Sequence, residues 1–365
     1  MVAAAVLNTI PGELSVEEIH LDDPGPREVV VKTAAAGLCH SDLHFMEGTY
    51  PYPCPVVLGH ESAGVVEAVG SAVSYVQPGD HVITCLSAFC GACQMCTAGR
   101  PSLCDNKNTD LVRRPDEPSR LSRPDGEALH SFLHLSSFAE KMLVHEHALV
   151  KVTPEMPLDK AALIGCGVTT GLGAVFRTAQ VRPGETVAVI GCGGIGLSAI
   201  QGARIAGANK IFAIDMVGSK LELAQELGAT HVINASDGDT VAQVMDQTDG
   251  LGVEYSFEAI GLAATAEQAF GMLRNGGQAT VIGLIPVGTN ISIPGAALIS
   301  EKTLTGSNMG SNQFRTDMPR FIDMYLDGRL KLDEMVSKKI TLDQINDGFK
   351  EMKTGEVTRS IITFD

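Results

Sequence analysis

The stretch "VAVIGCGGIG", residues 187–196, limits what this chain can fold into more than any other. A four-residue apolar run enters Gly191, Gly193, Gly194 and Gly196. An apolar-periodic helix pattern follows, and a second apolar run then ends in Asp215. A lone G-x-G-x-x-G says little, but with a strand before it, a helix after it and an acid about 20 residues on, it specifies a turn that cradles a dinucleotide pyrophosphate. Gly191 permits the tight turn, Gly193 lets the backbone approach the phosphates, and Gly196 allows the helix to pack on the strand. The free N–H groups at the helix N-terminus hold the anion. Asp215 is expected to accept from the adenosine ribose hydroxyls and to repel a 2′-phosphate, which selects NAD over NADP.

Beyond residue 170 the pattern alternates strands with amphipathic helices, as in "KLELAQELGATHVI" and "VEYSFEAIG". Such alternation predicts a doubly wound parallel sheet. Up to about residue 160 the grammar differs, with short β-like runs such as "REVVVKTAAAG" and "GDHVITC" punctuated by turns. The 365 residues are too many for one comfortable core and suggest two domains. Residues 105–135, polar, proline-containing and aperiodic, read as a long surface loop. After about 300, "MPRFIDMYLDGRLKLDEMV" reads as a helix and "SIITF" as a strand able to return to the first domain.

"CGACQMCTAGRPSLC" holds Cys90, Cys93, Cys96 and Cys104 in a C-x2-C-x2-C-x7-C array. A disulfide framework belongs to small secreted domains with thin cores, whereas this long chain is 44% hydrophobic. Four thiolates around one tetrahedral zinc explain the array better. A net charge of −16 disfavours a nucleic-acid-reading zinc ribbon. The start of the sequence lacks a basic segment followed by a long apolar one, and no apolar run reaches the roughly 18 residues of a membrane span, so a cytoplasmic location is expected.

A second set of soft ligands is scattered. "GLCHSDLH" places Cys39, His40, Ser41, Asp42 and His44 within six positions, "LGHE" adds His60 and Glu61, and Cys166 stands in "LIGCGVTTG". Taken singly, each suits a buried core. Together, two cysteines and one histidine can hold zinc with a fourth position open, the arrangement of a catalytic rather than a closed site. That ligand set is the one known for alcohol dehydrogenase, and it is matched to the sequence as such.

"GLCHSDLH", "LGHESAGVV", the four-cysteine array, "IGCGVTTG" and "VIGCGGIG" follow one another in the order found in medium-chain zinc-dependent alcohol dehydrogenases, which the chain resembles over essentially its whole length. The resemblance implies a GroES-like β-rich catalytic domain over 1–168, a Rossmann NAD-binding domain over 169–308, and a return to the catalytic domain over 309–365. It implies two zinc ions, a catalytic one on Cys39, His60 and Cys166 and a structural one on the four-cysteine array. Glu61 would lie behind the catalytic ion, Asp42 would orient His60, and Ser41 with His44 would carry the alcohol proton to solvent. NAD would meet His40, Gly191, Gly193, Gly194, Ile195, Gly196, Asp215, Lys220 and Arg359. Cys54, Cys85 and Cys192 match no ligand position and are read as packing residues.

His40 stands where many relatives carry an arginine, which implies a weaker, more pH-dependent hold on the pyrophosphate. Leu86, Phe132, Leu133 and Leu284 are directed by the resemblance to an apolar substrate channel. The leading expectation is therefore an NAD-dependent dehydrogenase of medium to bulky primary alcohols, soluble and homodimeric or homotetrameric. Its enzymatic alternative is a formaldehyde dehydrogenase acting on a thiol adduct. Tyr50 stands where the glutathione-dependent branch has an acid, while Arg113, Arg114, Arg120 and Arg123 could hold another thiol's carboxylate, although a solvated basic loop is the plainer reading. A non-catalytic zinc and nucleotide binder is a more distant alternative, disfavoured by the presence of Ser41 and His44.

Overall fold

The computed structural model describes residues 1–105, 111–114, 116–355 and 358–364. The chain forms two units, Met1–Cys166 with Gln313–Gly328 and Met335–Asp365, and Gly167–Asn312 with Arg329–Glu334. In the first lie β1 (Val2–Leu7), β2 (Leu14–Leu21), β3 (Glu28–Gly37), β4 (Val56–Val57), β5 (Ser62–Val69), β6 (His81–Thr84), β7 (Leu121–Ser122), β8 (Ala128–Ser131), β9 (Lys141–His145) and β10 (Leu149–Lys151). The second carries β11 (Thr186–Ile190), β12 (Lys210–Asp215), β13 (His231–Asn234), β14 (Val253–Glu258), β15 (Leu273–Val281) and β16 (Thr303–Gly306). The chain then returns to the first unit with β17 (Lys338–Ile340) and β18 (Ser360–Thr363).

In the first unit β1, β2, β7, β8 and β4 close a small barrel, and a seven-stranded sheet runs β10-β6-β5-β3-β18-β17 with β9 also paired to β3. The middle strand β3, "EVVVKTAAAG", is buried at eight of ten positions, as expected of a strand with neighbours on both edges. Its last residues, Ala35 to Gly37, pair with β5 on one edge and β18 on the other, and so aim the chain into Cys39.

The second unit is the doubly wound sheet that the strand–helix alternation predicts, in the order β13-β12-β11-β14-β15-β16, with every pair parallel. Strands buried on both faces read as continuous apolar runs, and "TVAVI" is buried at all but its first position. Helices Gly194–Ala206, Gly218–Leu227 and Ala263–Gly271 pack on the strands. Residues 329–334 are held to this unit through Gln201, whose amide gives 2.9 Å to the Lys331 carbonyl and takes 2.8 Å from its N–H.

Two expectations need correction. Residues 105–135 are not one surface loop, because Leu111, Arg120, Leu121 and Leu129 are buried and β7 pairs with β8 as a hairpin that closes the barrel. Such short strands carry too little alternation to be read, and residues 106–110 and 115 lie outside the described residues. The helical stretch Leu158–Ala179 is, at 22 residues, long and apolar enough by composition to cross a membrane, but 83% of its apolar window is buried inside the protein. Glycines and alanines dilute its hydropathy in the sequence, so it does not stand out as a run.

Next to β3, at the end of β9, His145 is 3% exposed and its Nδ1 accepts from the His147 N–H at 3.0 Å. Burial, with His147 and the nearby Arg120 and Arg27, pushes its pKa down to about 4. Between that value and its unfolded value near 6.5 the unfolded chain binds a proton that the folded one refuses, so stability falls as the pH drops through this window. The stability lost in this way is about 3 kcal/mol at most. In denaturant titrations from pH 7 to pH 4, His145→Asn is expected to lose less stability than the parent, and parallel curves would refute the assignment.

Candidate metal centre and cofactor loop

The metal group is built around a buried carboxylate. Cys39 caps the helix His40–Met46. Asp42, with no exposure, accepts from the Cys39 N–H at 3.3 Å, the Gly59 N–H at 3.3 Å and His60 Nδ1 at 2.9 Å. Gly59 reaches this position with φ +93°, where a Cβ would fall 2.6 Å from both the Phe138 nitrogen and Ser137 Oγ. Cys166 lies in a π-helical turn, Ile164–Val168, the wide kind of turn that often marks a functional position. One donor atom each from Cys39, His60 and Cys166 lies within 4.8 Å of the others, and all three residues are buried.

The electrostatics suit a soft divalent ion. A hydrogen bond with Cys166, and then the charge of His60, hold the Cys39 thiol well below its usual range against its burial. The same bond and burial push Cys166 well above it. Burial works against charge on His60, but Asp42 and Cys39 outweigh it and raise its pKa. The two thiols are thus biased in opposite directions, with Cys39 the more easily ionised. Two sulfurs and an imidazole fixed through its Nδ1 form a set that zinc accepts.

Glu61, fully buried, sits against the backbone of Gly37, where a Cβ would come within 2.4 Å of its Oε1. Arg359 reaches Glu61 at 3.6 Å and donates to the Leu38 carbonyl at 3.0 Å. Arg359, expected on the pyrophosphate, is 5% exposed and turned toward the metal side. Burial opposes its charge, but Glu61, Cys39 and Cys166 raise its pKa. Ser41 accepts from the Cys39 thiol at 3.7 Å, and His44 stands three residues on along the same helix, its ring 6.3 Å from that of Tyr50. His40 is exposed.

An aromatic wall stands beside the imidazole. Phe132, fully buried, presents its ring edge-on to His60 at 5.9 Å and packs on Phe45 and Tyr52 at 4.8 and 5.1 Å. Tyr52 Oη donates to the Ser131 carbonyl at 2.9 Å and accepts from the Leu133 N–H at 3.3 Å. This pins a turn in which Leu133, His134 and Ser136 all have left-handed φ. Strain of that kind gathers at functional sites. Sequence reasoning missed Phe45 and Tyr52, whose bare aromatic signal does not distinguish them from core. Leu86 is half-buried in another cluster, and Leu284 is 41% exposed in the second unit.

The four-cysteine group is of another kind. The Cys90–Cys96 and Cys93–Cys104 sulfurs stand 3.9 and 3.8 Å apart, too far for disulfides. A tetrahedron with arms of about 2.3 Å has edges of about 3.8 Å, so the set fits zinc. Backbone N–H groups of Cys90, Ala92, Cys93 and Cys96 point at these sulfurs. Those of Cys96 and Asp105 draw the Cys93 thiol down to about 6.

The loop arginines are already engaged. Arg120 and Arg113 both bind the buried Glu28, each at 2.6 Å, and Arg113 also pairs with Asp22. Arg123 binds Glu17 at 2.9 Å and pairs with Glu127. Arg114 alone of the four is mostly exposed, beside Glu117 at 3.1 Å. Arg114 alone remains solvated, while Arg113, Arg120 and Arg123 are drawn in by Glu17, Asp22 and Glu28 from far earlier in the chain.

In the second unit, Gly191 has φ +95°, and a Cβ on Gly196 would lie 1.7 Å from the Gly191 carbonyl oxygen. A Cβ on Gly193 would meet nothing within 4 Å, so that side of the loop is open to a ligand. Asp215 accepts from the Cys192 N–H at 2.7 Å and the Val217 N–H at 3.0 Å, one on each oxygen, leaving lone pairs for ribose hydroxyls. Gly194 and Ile195 open the helix Gly194–Ala206, and Lys220 lies half-buried in the helix Gly218–Leu227. These residues fit a dinucleotide.

A dinucleotide-type sheet in one unit and a two-thiol, one-imidazole group in the other define a metal-dependent dehydrogenase. Residues 25–154 match an alcohol dehydrogenase GroES-like domain, and residues 194–326 match a zinc-binding dehydrogenase domain. The S-(hydroxymethyl)glutathione dehydrogenase of Saccharomyces cerevisiae is 38% identical, over 99% of this chain and 96% of its own. The crystal structure of an alcohol dehydrogenase zinc-binding domain protein from Burkholderia ambifaria has a TM-score of 0.95 at 37% identity, covering 100% and 99% of the two chains. That of benzyl alcohol dehydrogenase from Acinetobacter calcoaceticus reaches 0.92 at 33%, with the same coverage. The chain belongs to the medium-chain zinc-dependent alcohol dehydrogenase family, whose enzymes are zinc-dependent oxidoreductases using a nicotinamide cofactor.

The two metal groups are expected to differ on mutation. Metal analysis of the parent is expected to find two zinc ions per chain. Cys93→Ser is expected to lose one ion and to melt lower, because a closed site contributes folding energy. Cys166→Ser is expected to lose the other ion and turnover while the fold survives. Equal loss of melting temperature in both variants would contradict the division.

Proposed function

We propose that the chain oxidises a primary hydroxyl carbon, R–CH2OH, to the carbonyl, with NAD taking the hydride, and that the hydroxymethyl adduct of a cellular thiol with formaldehyde is its first substrate class. The reading is carried by the similarity, at 38% identity over nearly the whole chain, to a dehydrogenase named for the glutathione adduct. Such an adduct, RS–CH2OH, presents the same reacting group as an alcohol and yields a thioester. Zinc held by Cys39, His60 and Cys166 would supply a Lewis acid that acidifies the hydroxyl, much as it brings bound water from about 15.7 to about 7, and NAD would supply the hydride acceptor.

The chain's own residues do the rest. Asp42 holds the His60 tautomer through Nδ1. The Ser41 hydroxyl both accepts and donates, so it takes the substrate proton and hands it on, and His44 passes it to solvent. Phe132, with Phe45 and Tyr52, keeps water from the apolar side of the imidazole.

A second reading, a free aromatic or medium-chain alcohol, is favoured by that aromatic wall and by the engagement of Arg113, Arg120 and Arg123 with Glu28 and Glu17, which takes three cations of the loop away from a thiol's carboxylates. The benzyl alcohol dehydrogenase fold similarity agrees with it. The test compares kcat/KM for formaldehyde with glutathione, formaldehyde with other low-molecular-weight thiols, and benzylic and medium-chain alcohols. A thiol adduct used at least about tenfold better, about 1.4 kcal/mol in transition-state binding, is expected, and the reverse ranking establishes the free-alcohol reading.

Cofactor choice is assigned to Asp215. A ribose 2′-phosphate about 4 Å from its carboxylate would be repelled by up to about 4 kcal/mol at an effective dielectric near 20. Asp215→Gly is expected to erode the NAD preference by at least about tenfold in the ratio of kcat/KM values. An unchanged ratio would remove Asp215 from the ribose.

A further inference from the structure

Glu258 belongs to neither the metal group nor the glycine loop, yet it is fully buried in the second unit. It ends β14, and its Oε1 accepts three hydrogen bonds, from the Ile260 N–H at 2.9 Å, the Gly261 N–H at 2.7 Å and Thr265 Oγ1 at 2.8 Å. Its Oε2 has no hydrogen-bond partner among the described residues. Burying a carboxylate with one oxygen unmatched is costly, and a turn alone does not require it.

The segment that this carboxylate organises is pressed from two sides. On one, a Cβ on Gly191 of the glycine loop would fall 2.6 Å from Ile260 Cγ1 and 3.2 Å from the Ala259 carbonyl oxygen. On the other, the Ile282 and Gly283 N–H groups both donate to the Glu258 carbonyl, at 2.8 and 3.0 Å. A Cβ on Gly283 would fall 2.2 Å from the Gly261 nitrogen and 2.7 Å from Glu258 Oε2. Gly261 has φ +98°, and its own Cβ would lie 2.6 Å from the Leu284 carbonyl oxygen. Residues 259–261 are thus a spacer between the phosphate turn and the end of β15, and Glu258 sets its shape.

In the strand order of this sheet, β11 is followed outward by β14 and β15, which form the second mononucleotide half, and ligands of such sheets lie at the carboxyl ends of the strands. We propose that Glu258 is a positioning residue for the nicotinamide cofactor. By clamping Ile260, Gly261 and Thr265 on one oxygen, it fixes the gap between the glycine loop and the end of β15 at the width that the cofactor needs. This rests on the cofactor reading of the second unit given above.

The test is NADH titration by fluorescence on the intact, zinc-loaded protein, alongside thermal melts and steady-state kinetics. Glu258→Leu keeps the bulk and removes the acceptor. It is expected to weaken NADH binding at least about tenfold while kcat at saturating cofactor falls less than about threefold. Glu258→Gln keeps one carbonyl oxygen for the three donors and is expected to bind within about threefold of the parent. Thr265→Val removes a single bond and is expected to cost about threefold in affinity with an unchanged melt. A folded Glu258→Leu that binds NADH as the parent does, or a Glu258→Gln as weak as the leucine variant, overturns the inference. If Glu258→Leu does not fold, a Thr265→Val of parental affinity overturns it instead. A parent that binds no NADH overturns the cofactor reading and this inference with it.

Discussion

The Asp42 carboxylate is the contact on which the first unit's chemistry depends. It joins the Cys39 backbone, the Gly59 backbone and the His60 ring in a fully buried place. Burial raises its pKa while His60 lowers it, and Asp42 with Cys39 in turn raises that of His60. Breaking such a buried pair from one side typically costs about 3–5 kcal/mol. Two candidate metal-ligating positions 21 residues apart therefore share one anchor, and Gly59 is the residue type that lets the chain turn closely enough to reach it.

The two thiol groups differ by charge balance. Four thiolates around a divalent ion retain two negative charges, which calls for N–H donors and favours a place near the surface, and the four-cysteine group is half-exposed with backbone N–H groups turned inward. Two thiolates and a neutral imidazole around the same ion sum to zero. Such a set tolerates complete burial, and the neighbouring Glu61 and Arg359 also cancel each other.

What the sequence disclosed is what lies close together along it. The parallel sheet follows from alternation, the glycine turn from a ten-residue window, and the four-cysteine group from its spacing. Cys39, His60 and Cys166 needed the family resemblance, because single soft residues carry no signal of their partners. Arg113, Arg120 and Arg123 were opaque for the same reason, since Glu17, Asp22 and Glu28 precede them by some 85–106 residues. The β7–β8 hairpin was hidden by its brevity, and Glu258 by looking like any strand-end acid. Periodicity reveals an element's environment, but pairing at long range is written in geometry alone.

The pairing of β3 with β18 orders events during synthesis. Cys39, His60 and Cys166 have all left the ribosome about 190 residues before Arg359 and β18, an interval on the order of ten to forty seconds at typical elongation rates. Until then Ala35 to Gly37, which lead into Cys39, present an unpaired strand edge, and Glu61 lacks the guanidinium of Arg359 beside it. The nascent chain therefore holds every candidate ligand of the reactive metal before it holds the cation that balances the acid behind them. The C-terminal strand acts as a late closure, and a ribosome that stalls short of it leaves an aggregation-prone edge beside an unfinished metal pocket.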